Sequence, residues 1–256
     1  MISIETGNRG VSELIGFVLV FSLVVAVVGI VSVAGLGSLQ DARDFEQLEN
    51  AERAMTVLAD NMADIQDRGA PSRATEISLD DAHIRTGSEV TVKVTDTTVS
   101  PTLDESYSIR PIIYSGARDT ELVYVMGAIF RVQPEGEAVL REWDPIVNGE
   151  RAVVAILNTS SKTGGVKTIQ SATVLVRGNA VERELVRANR TGDFGGGNTT
   201  LRIEDTPRRD LWIEMLDARS GFDCSEDGPQ VAECEIGPEV KNFYLTRTRV
   251  VVALKG

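Results

Sequence analysis

An α+β fold is what this sequence of 256 residues predicts: a long N-terminal helix, half membrane-spanning and half amphipathic, followed by an antiparallel β-sandwich-like domain. Three observations predict it. Leu14 to Gln40 is a run of 27 residues without a charge. Gln40 to Arg68 contains no proline or glycine and is rich in good helix formers. Beyond Pro71, short segments rich in Val, Ile and Thr alternate with turn-forming residues.

Residues 1–10 read as a leader on the cytoplasmic side, and residues 11–40 as an apolar transmembrane helix. At about 1.5 Å per residue the uncharged run extends ~40 Å, more than the ~30 Å hydrocarbon core of a bilayer. Phe17, Leu19, Phe21, Val24, Val28 and Val31 leave no polar face, so the run is not one side of a soluble core helix. A cleaved secretory signal has an apolar core of only about 7 to 15 residues followed by a small-residue site. This run is longer and has no such site after it, so it is expected to stay in the mature, single-pass protein.

Residues 41–70 read as an amphipathic stalk that continues the helix and ends at Gly69-Ala70-Pro71, a combination that stops helices. Leu48, Met55 and Met62 recur every seven residues, as do Ala51, Leu58 and Ile65. They form a narrow apolar stripe among charges, the pattern of a helix lying on one partner surface. That surface is the chain's own β domain, a neighbouring subunit, or each of them at a different level along the stalk.

Residues 71–256 read as an extracellular β-rich domain. The expected strands are Glu89–Thr95, Tyr107–Ser115, Glu121–Gln133, Ala152–Leu157, Lys167–Arg177, Val181–Ala188, Leu201–Glu204, Leu211–Leu216 and Phe243–Leu254. Flanking charges are nearly neutral about orientation, and the extracytoplasmic signals decide it. Three N-x-[ST] sequons, at Asn158, Asn189 and Asn198, are candidate glycosylation sites. The only two cysteines, Cys224 and Cys234, have nine residues between them in a turn-rich segment. Outside the cell they would close a disulfide loop; two free buried thiols are the alternative.

Composition excludes more than it assigns. Of 26 basic and 38 acidic residues, the leader and apolar run hold Arg9, Glu5 and Glu13, which leaves a net charge of −11 on the rest. Nucleic acid is not an expected partner, because binding phosphates needs basic clusters and only Arg208-Arg209 stands out. Five lysines against 21 arginines, with this acidity, suit a high-salt habitat in which carboxylate repulsion is screened within about 3 Å at 1 M salt. His83 is the single histidine, which rules out a His-based metal cluster. Carboxylate pairs such as Asp80-Asp81 and Asp104-Glu105 are expected in so acidic a chain. No enzyme activity, catalytic residue, metal or cofactor is expected.

Arg9-Gly10-Val11-Ser12-Glu13-Leu14-Ile15-Gly16, followed by a long apolar run, resembles the processing site and N-terminal segment of archaeal type IV pilin-like proteins. Leu39 to Arg73 resembles a haloarchaeal pilin-like family whose members lack assigned functions. The resemblance implies a prepilin peptidase as partner, cutting between Gly10 and Val11 and leaving the apolar helix on the protein. It implies membrane lipid and identical or related pilin subunits as further partners, with Glu13, Gly16 and Gly29 as candidate subunit contacts. Glu13 would be third in the processed chain, where bacterial pilins have an acidic residue fifth. The expected function is therefore that of a membrane-anchored or filament-forming surface protein serving adhesion or surface contact. The alternative is a solitary anchored extracellular binding domain that never polymerises.

Overall fold

A single helix, α1 (Arg9–Asp67), spans 59 residues because its glycines stand singly and nothing interrupts the helix formers up to Arg68. It stops where Gly69 takes φ +73° and the N–H of Ala70 turns back to the carbonyl of Asp64 at 3.2 Å. This computed structural model describes residues 9–97, 99, 101–162, 164, 166–189 and 199–256, with backbone alone at 9–13 and 189. The greater part of the predicted leader lies outside the described residues. The chain divides into two compact units, one ending at Leu48 and the other Glu49–Gly256. The division falls inside the predicted stalk, because burial of the apolar stripe sets in only at Ala51.

The fold is α+β, a long N-terminal helix and then a β-rich domain of predominantly antiparallel sheets. One sheet has the order β1 (Ser72–Ser78), β12 (Thr173–Asn189), β16 (Asn242–Lys255), β10 (Arg151–Ser161) and β9 (Ile146–Asn148). A second runs β11 (Thr168–Ile169), β2 (His83–Thr86), β5 (Ile112–Ser115), β6 (Glu121–Val125), β7 (Ala128–Gln133) and β8 (Gly136–Arg141). The third is β14 (Phe222–Glu226), β15 (Ala232–Ile236), β13 (Thr200–Glu204), β3 (Val90–Asp96) and β4 (Leu103–Ile109). The strands of β10 and β16 pair in parallel over their full overlap, from Arg151 opposite Asn242 to Ser161 opposite Val252.

The alternation read from Thr91-Val92-Lys93-Val94-Thr95 is present in β3, where Val90, Val92 and Val94 are buried and the residues between them half-exposed. Leu211–Leu216, expected as a strand, is instead α2 (Arg209–Asp217). Its buried residues are Leu211, Trp212, Met215 and Leu216, the spacing of one helix face. Three other expected strands are broken, one of them Lys167–Arg177, which is divided between β11 and a β12 that also takes in Val181–Ala188. Pro111 separates β4 from β5 within Tyr107–Ser115, and Met126-Gly127 folds Glu121–Gln133 into a hairpin. Both turn residues have positive φ, +52° and +96°.

One core joins the second and third sheets with α2 and the inner faces of β10 and β16. Trp212 lies at its middle, edge-on to Phe130 at 5.1 Å and to Trp143 at 6.2 Å between ring centres. Trp143 is held by its indole N–H to the carbonyl of Ala155 at 3.3 Å.

Candidate functional site

From Leu14 to Gln40 every residue of α1 is exposed. Phe17, Leu19, Ile30, Val33 and Leu36 each keep about two thirds or more of their surface in contact with solvent, up to 76% at Val33. So much contiguous apolar surface has to be covered by lipid or by protein. The helix is long and apolar enough to cross a membrane. At Gly16 and Gly29 nothing outside the helix lies within 4 Å of where a side chain would begin, and the same holds at Gly35 and Gly37. Arg9, Gly10, Val11 and Glu13 have helical backbone, and their side chains fall outside the described residues.

The other half of α1 is built differently. Ala51, Met55, Leu58, Ala59, Met62 and Ile65 are each at most 2% exposed. Of the two surfaces the stripe was expected to meet, it meets the chain's own β domain. Gly178 on β12 makes the close approach possible: a methyl group there would stand 2.9 Å from Met62 Cε and 3.1 Å from Ile65 Cδ1. Polar contacts fix the helix from both sides. Arg131 Nη1 reaches Glu52 Oε1 at 2.9 Å, Arg141 Nη1 reaches Asp60 Oδ1 at 2.5 Å, and Asn61 Nδ2 donates to Thr75 Oγ1 at 2.9 Å. At the helix end Arg183 donates to the carbonyls of Ile65 and Ala70 at 3.1 and 2.7 Å, supplying partners to groups that a helix terminus leaves unpaired.

Elsewhere the candidate residues are dispersed. Cys224 and Cys234 are directly opposite on β14 and β15, and their sulfurs are bonded. Asn158 is half-buried in β10, next to the fully buried Thr159. Asn189 ends β12, and Asn198 lies outside the described residues. His83 begins β2 and is half-buried.

Two arginines show how this domain handles charge. Arg202, on the outer face of the third sheet, contacts Glu204, Asp227 and Glu233. Partial burial works against its charge, but the hydrogen bond it donates to Asp227 and the field of Glu233 prevail and raise its pKa. Arg208 is nine-tenths buried and, among the described residues, has a single ion pair, to Glu121 Oε2 at 3.5 Å. There burial wins and lowers the pKa, against the charges of Glu121 and Glu137. Among the described residues no group of three His, Cys, Asp or Glu side chains is placed to hold a metal.

A groove at the short edge strand β9 was not foreseen. At the strand is a cavity of about 330 Å³ lined by Val147, Gly221, Gly237, Pro238 and Val240. Adjoining it is a more open one of about 500 Å³, lined by Asp144, Ile146, Asn148 and Arg219. Val147 and Ser220 border both. The signal in the sequence was the pair of glycines, Gly221 and Gly237, set symmetrically outside Cys224 and Cys234. Gly221 has φ +94°, its carbonyl accepts the N–H of Gly237 at 2.9 Å, and Val147 fills the space a side chain would need.

Residues 9–253 match the family of unknown function DUF7289. No curated protein and no solved structure matches the chain.

Proposed function

The chain belongs to the family of unknown function DUF7289, and we propose that it is a type IV pilin-like surface protein, anchored by residues 11–40 and presenting residues 71–256 outside the cell. In this reading a prepilin peptidase removes the segment before Val11. The exposed apolar helix then rests in lipid or is drawn into a bundle of like helices, where contacts with hydrocarbon are exchanged for similar contacts with neighbours. Gly16 and Gly29 allow such helices to approach closely. The role is adhesion or surface contact through the β domain, without catalysis.

One observation carries the reading: within a single helix, residues 14–40 bury nothing whereas residues 51–65 bury a full apolar stripe. A helix meant for the protein's own core would bury both. The groove at β9 supports the alternative, a solitary anchored binding domain, since a concave site is of use to a domain that captures something.

Shear fractionation of cells, with mass spectrometry of the mature N-terminus, separates these readings. A filament subunit pellets with sheared surface material and begins at Val11. A solitary anchor stays with the membranes. A mature protein beginning at Met1 removes the pilin reading.

A further inference from the structure

Unpaired charges of opposite sign collect on two separate faces of the β domain. The first is the face of the first sheet turned away from α1. Gly178 lies against Met62 and Ile65, so its neighbour Arg177 on β12 points to the opposite side. Lys255 on β16 is in register with Leu175 and shares that side. Arg177 and Lys255 are both exposed. Two more lysines stand beside them. The N–H of Lys162, just past β10, donates to the carbonyl of Val252, and Lys167 Nζ donates to that of Leu254 at 2.7 Å. Three of the chain's five lysines are thus gathered at one end of one sheet. Among the described residues none of these four cations has an ion pair. Against them stand Glu76, in the same register row as Lys255, and the terminal carboxylate of Gly256. Four cations against two anions leave an excess of two positive charges, in a chain whose net charge is −12.

The second is the outer face of the third sheet. Asp104, Thr95, Thr200, Glu235 and Asp223 stand opposite one another in turn on β4, β3, β13, β15 and β14, a row across all five strands. With strands about 4.8 Å apart the row is about 19 Å long. Val94, Leu201 and Cys234, their neighbours in sequence, are buried, which turns the row outward. Its three carboxylates are exposed, and none has an ion pair among the described residues. Glu235 and Asp223 face each other directly, an arrangement in which like charges repel. The nearest cations on this face, Lys93 and Arg202, are already taken by Glu204, Asp227 and Glu233.

We propose that the two faces bind each other between copies, the basic end of the first sheet of one chain docking on the carboxylate row of the third sheet of the next. The occupant is a second copy because every copy carries both halves of the match, and within one molecule the halves do not meet. A contact between unlike faces is not closed by two copies, so its repetition builds a ring or an open row. The biological use of the contact rests on the filament reading, which it deepens by naming the surfaces through which heads would join. The two fail separately, since the N-terminus of the sheared protein tests processing and the heads alone test the contact.

The test uses the full chain with each copy in its own lipid nanodisc, which keeps the apolar helices apart and leaves association to the heads. Analytical ultracentrifugation of the wild-type protein is expected to show association in low salt. At about 1 M salt, where charges are screened within about 3 Å, it is expected to be at least about tenfold weaker. Arg177→Glu with Lys255→Glu, and separately Asp223→Lys with Glu235→Lys, are each expected to weaken association at least about tenfold. All four residues are exposed and free of ion pairs among the described residues, so both variants keep the fold. Mixed together, the two variants are expected to associate again, because each offers the face that the other lacks. Wild-type protein that stays a single-disc species overturns the proposal, even where a polyanion such as polyglutamate binds its basic end. So does association that survives either reversal, or a mixture of the variants that stays apart.

Discussion

Arg183, on the long strand β12, donates through both Nε and Nη2 to the backbone carbonyl of Ile65, at 3.3 and 3.1 Å. A residue 118 positions away in sequence thus secures the last turn of the first helix. Hydrogen bonds from a charged donor to partly buried carbonyls are worth about 1.5–3 kcal/mol. Arg183→Met is expected to cost about 2 kcal/mol in chemical denaturation. Arg183→Lys recovers only part, because an ammonium cannot reproduce the planar fork. Amide exchange should localise the damage to residues 62–70.

The close approach at Gly178 makes a second prediction. Gly178→Val forces a branched side chain against Met62 and Ile65 and is expected to destabilise by about 1–3 kcal/mol. Met62→Ala alone opens a cavity and is expected to cost about 2–5 kcal/mol. Together the two are expected to cost less than their sum, because the larger residue enters the vacated space. Strict additivity in a double-mutant cycle contradicts the contact.

Acid should loosen the third sheet. Glu204 accepts from Lys93 at 2.7 Å, the largest influence on it, and from Arg202 at 3.2 Å, so its carboxyl lies below the ordinary range. A depressed carboxyl pKa stabilises the fold above the unfolded value and loses that contribution as pH falls through the folded value. Unfolding measured between neutrality and strong acid should therefore show stability falling from about pH 4.5 downward. Glu204→Gln is expected to be less stable at neutral pH and to show a shallower acid slope.

Alkali acts through the phenols. Burial first, and then the charge of Asp80, pushes Tyr114 up to about 12. Burial likewise raises Tyr107, helped by Glu105, and Tyr124. A raised folded pKa means that stability is complete below the unfolded value near 10 and is lost as pH climbs past it. Tyrosinate absorbance should show these three phenols resisting ionisation until the domain unfolds, and Tyr114→Phe should blunt the alkaline loss.

Replacing both Cys224 and Cys234 with serine is expected to lower stability by about 2–3 kcal/mol, the effect of releasing a short loop. Reduced and oxidised wild-type protein should differ by a similar amount in denaturant midpoint.

The long helix and the alternating strands were legible in the sequence because their signals are periodic and unbroken over many residues. Leu211–Leu216 misled because six apolar-rich residues fit either period, and only burial at 211, 212, 215 and 216 reveals a helix. The turn inside Glu121–Gln133 was hidden because Met126 takes a left-handed conformation in which Asn or Asp would have been a visible signal. β8 carries a glycine and charges, β14 carries Asp223 and Glu226, and both lie at sheet edges, where half-burial leaves little apolar pattern. The β9 groove was illegible for another reason. The hairpin of β14 and β15 brings Gly221 and Gly237 together, but Val147 meets them only through tertiary structure, and no local spacing announces that contact.

Because β16 lies between β12 and β10, the sheet against which α1 packs has no centre until residues 242–255 exist. A nascent chain on the ribosome carries its apolar stripe and both flanking strands for some time without that centre. The domain therefore completes its fold late, once residues 242–255 have been made. A premature stop codon anywhere before Asn242 yields no smaller working version of the head.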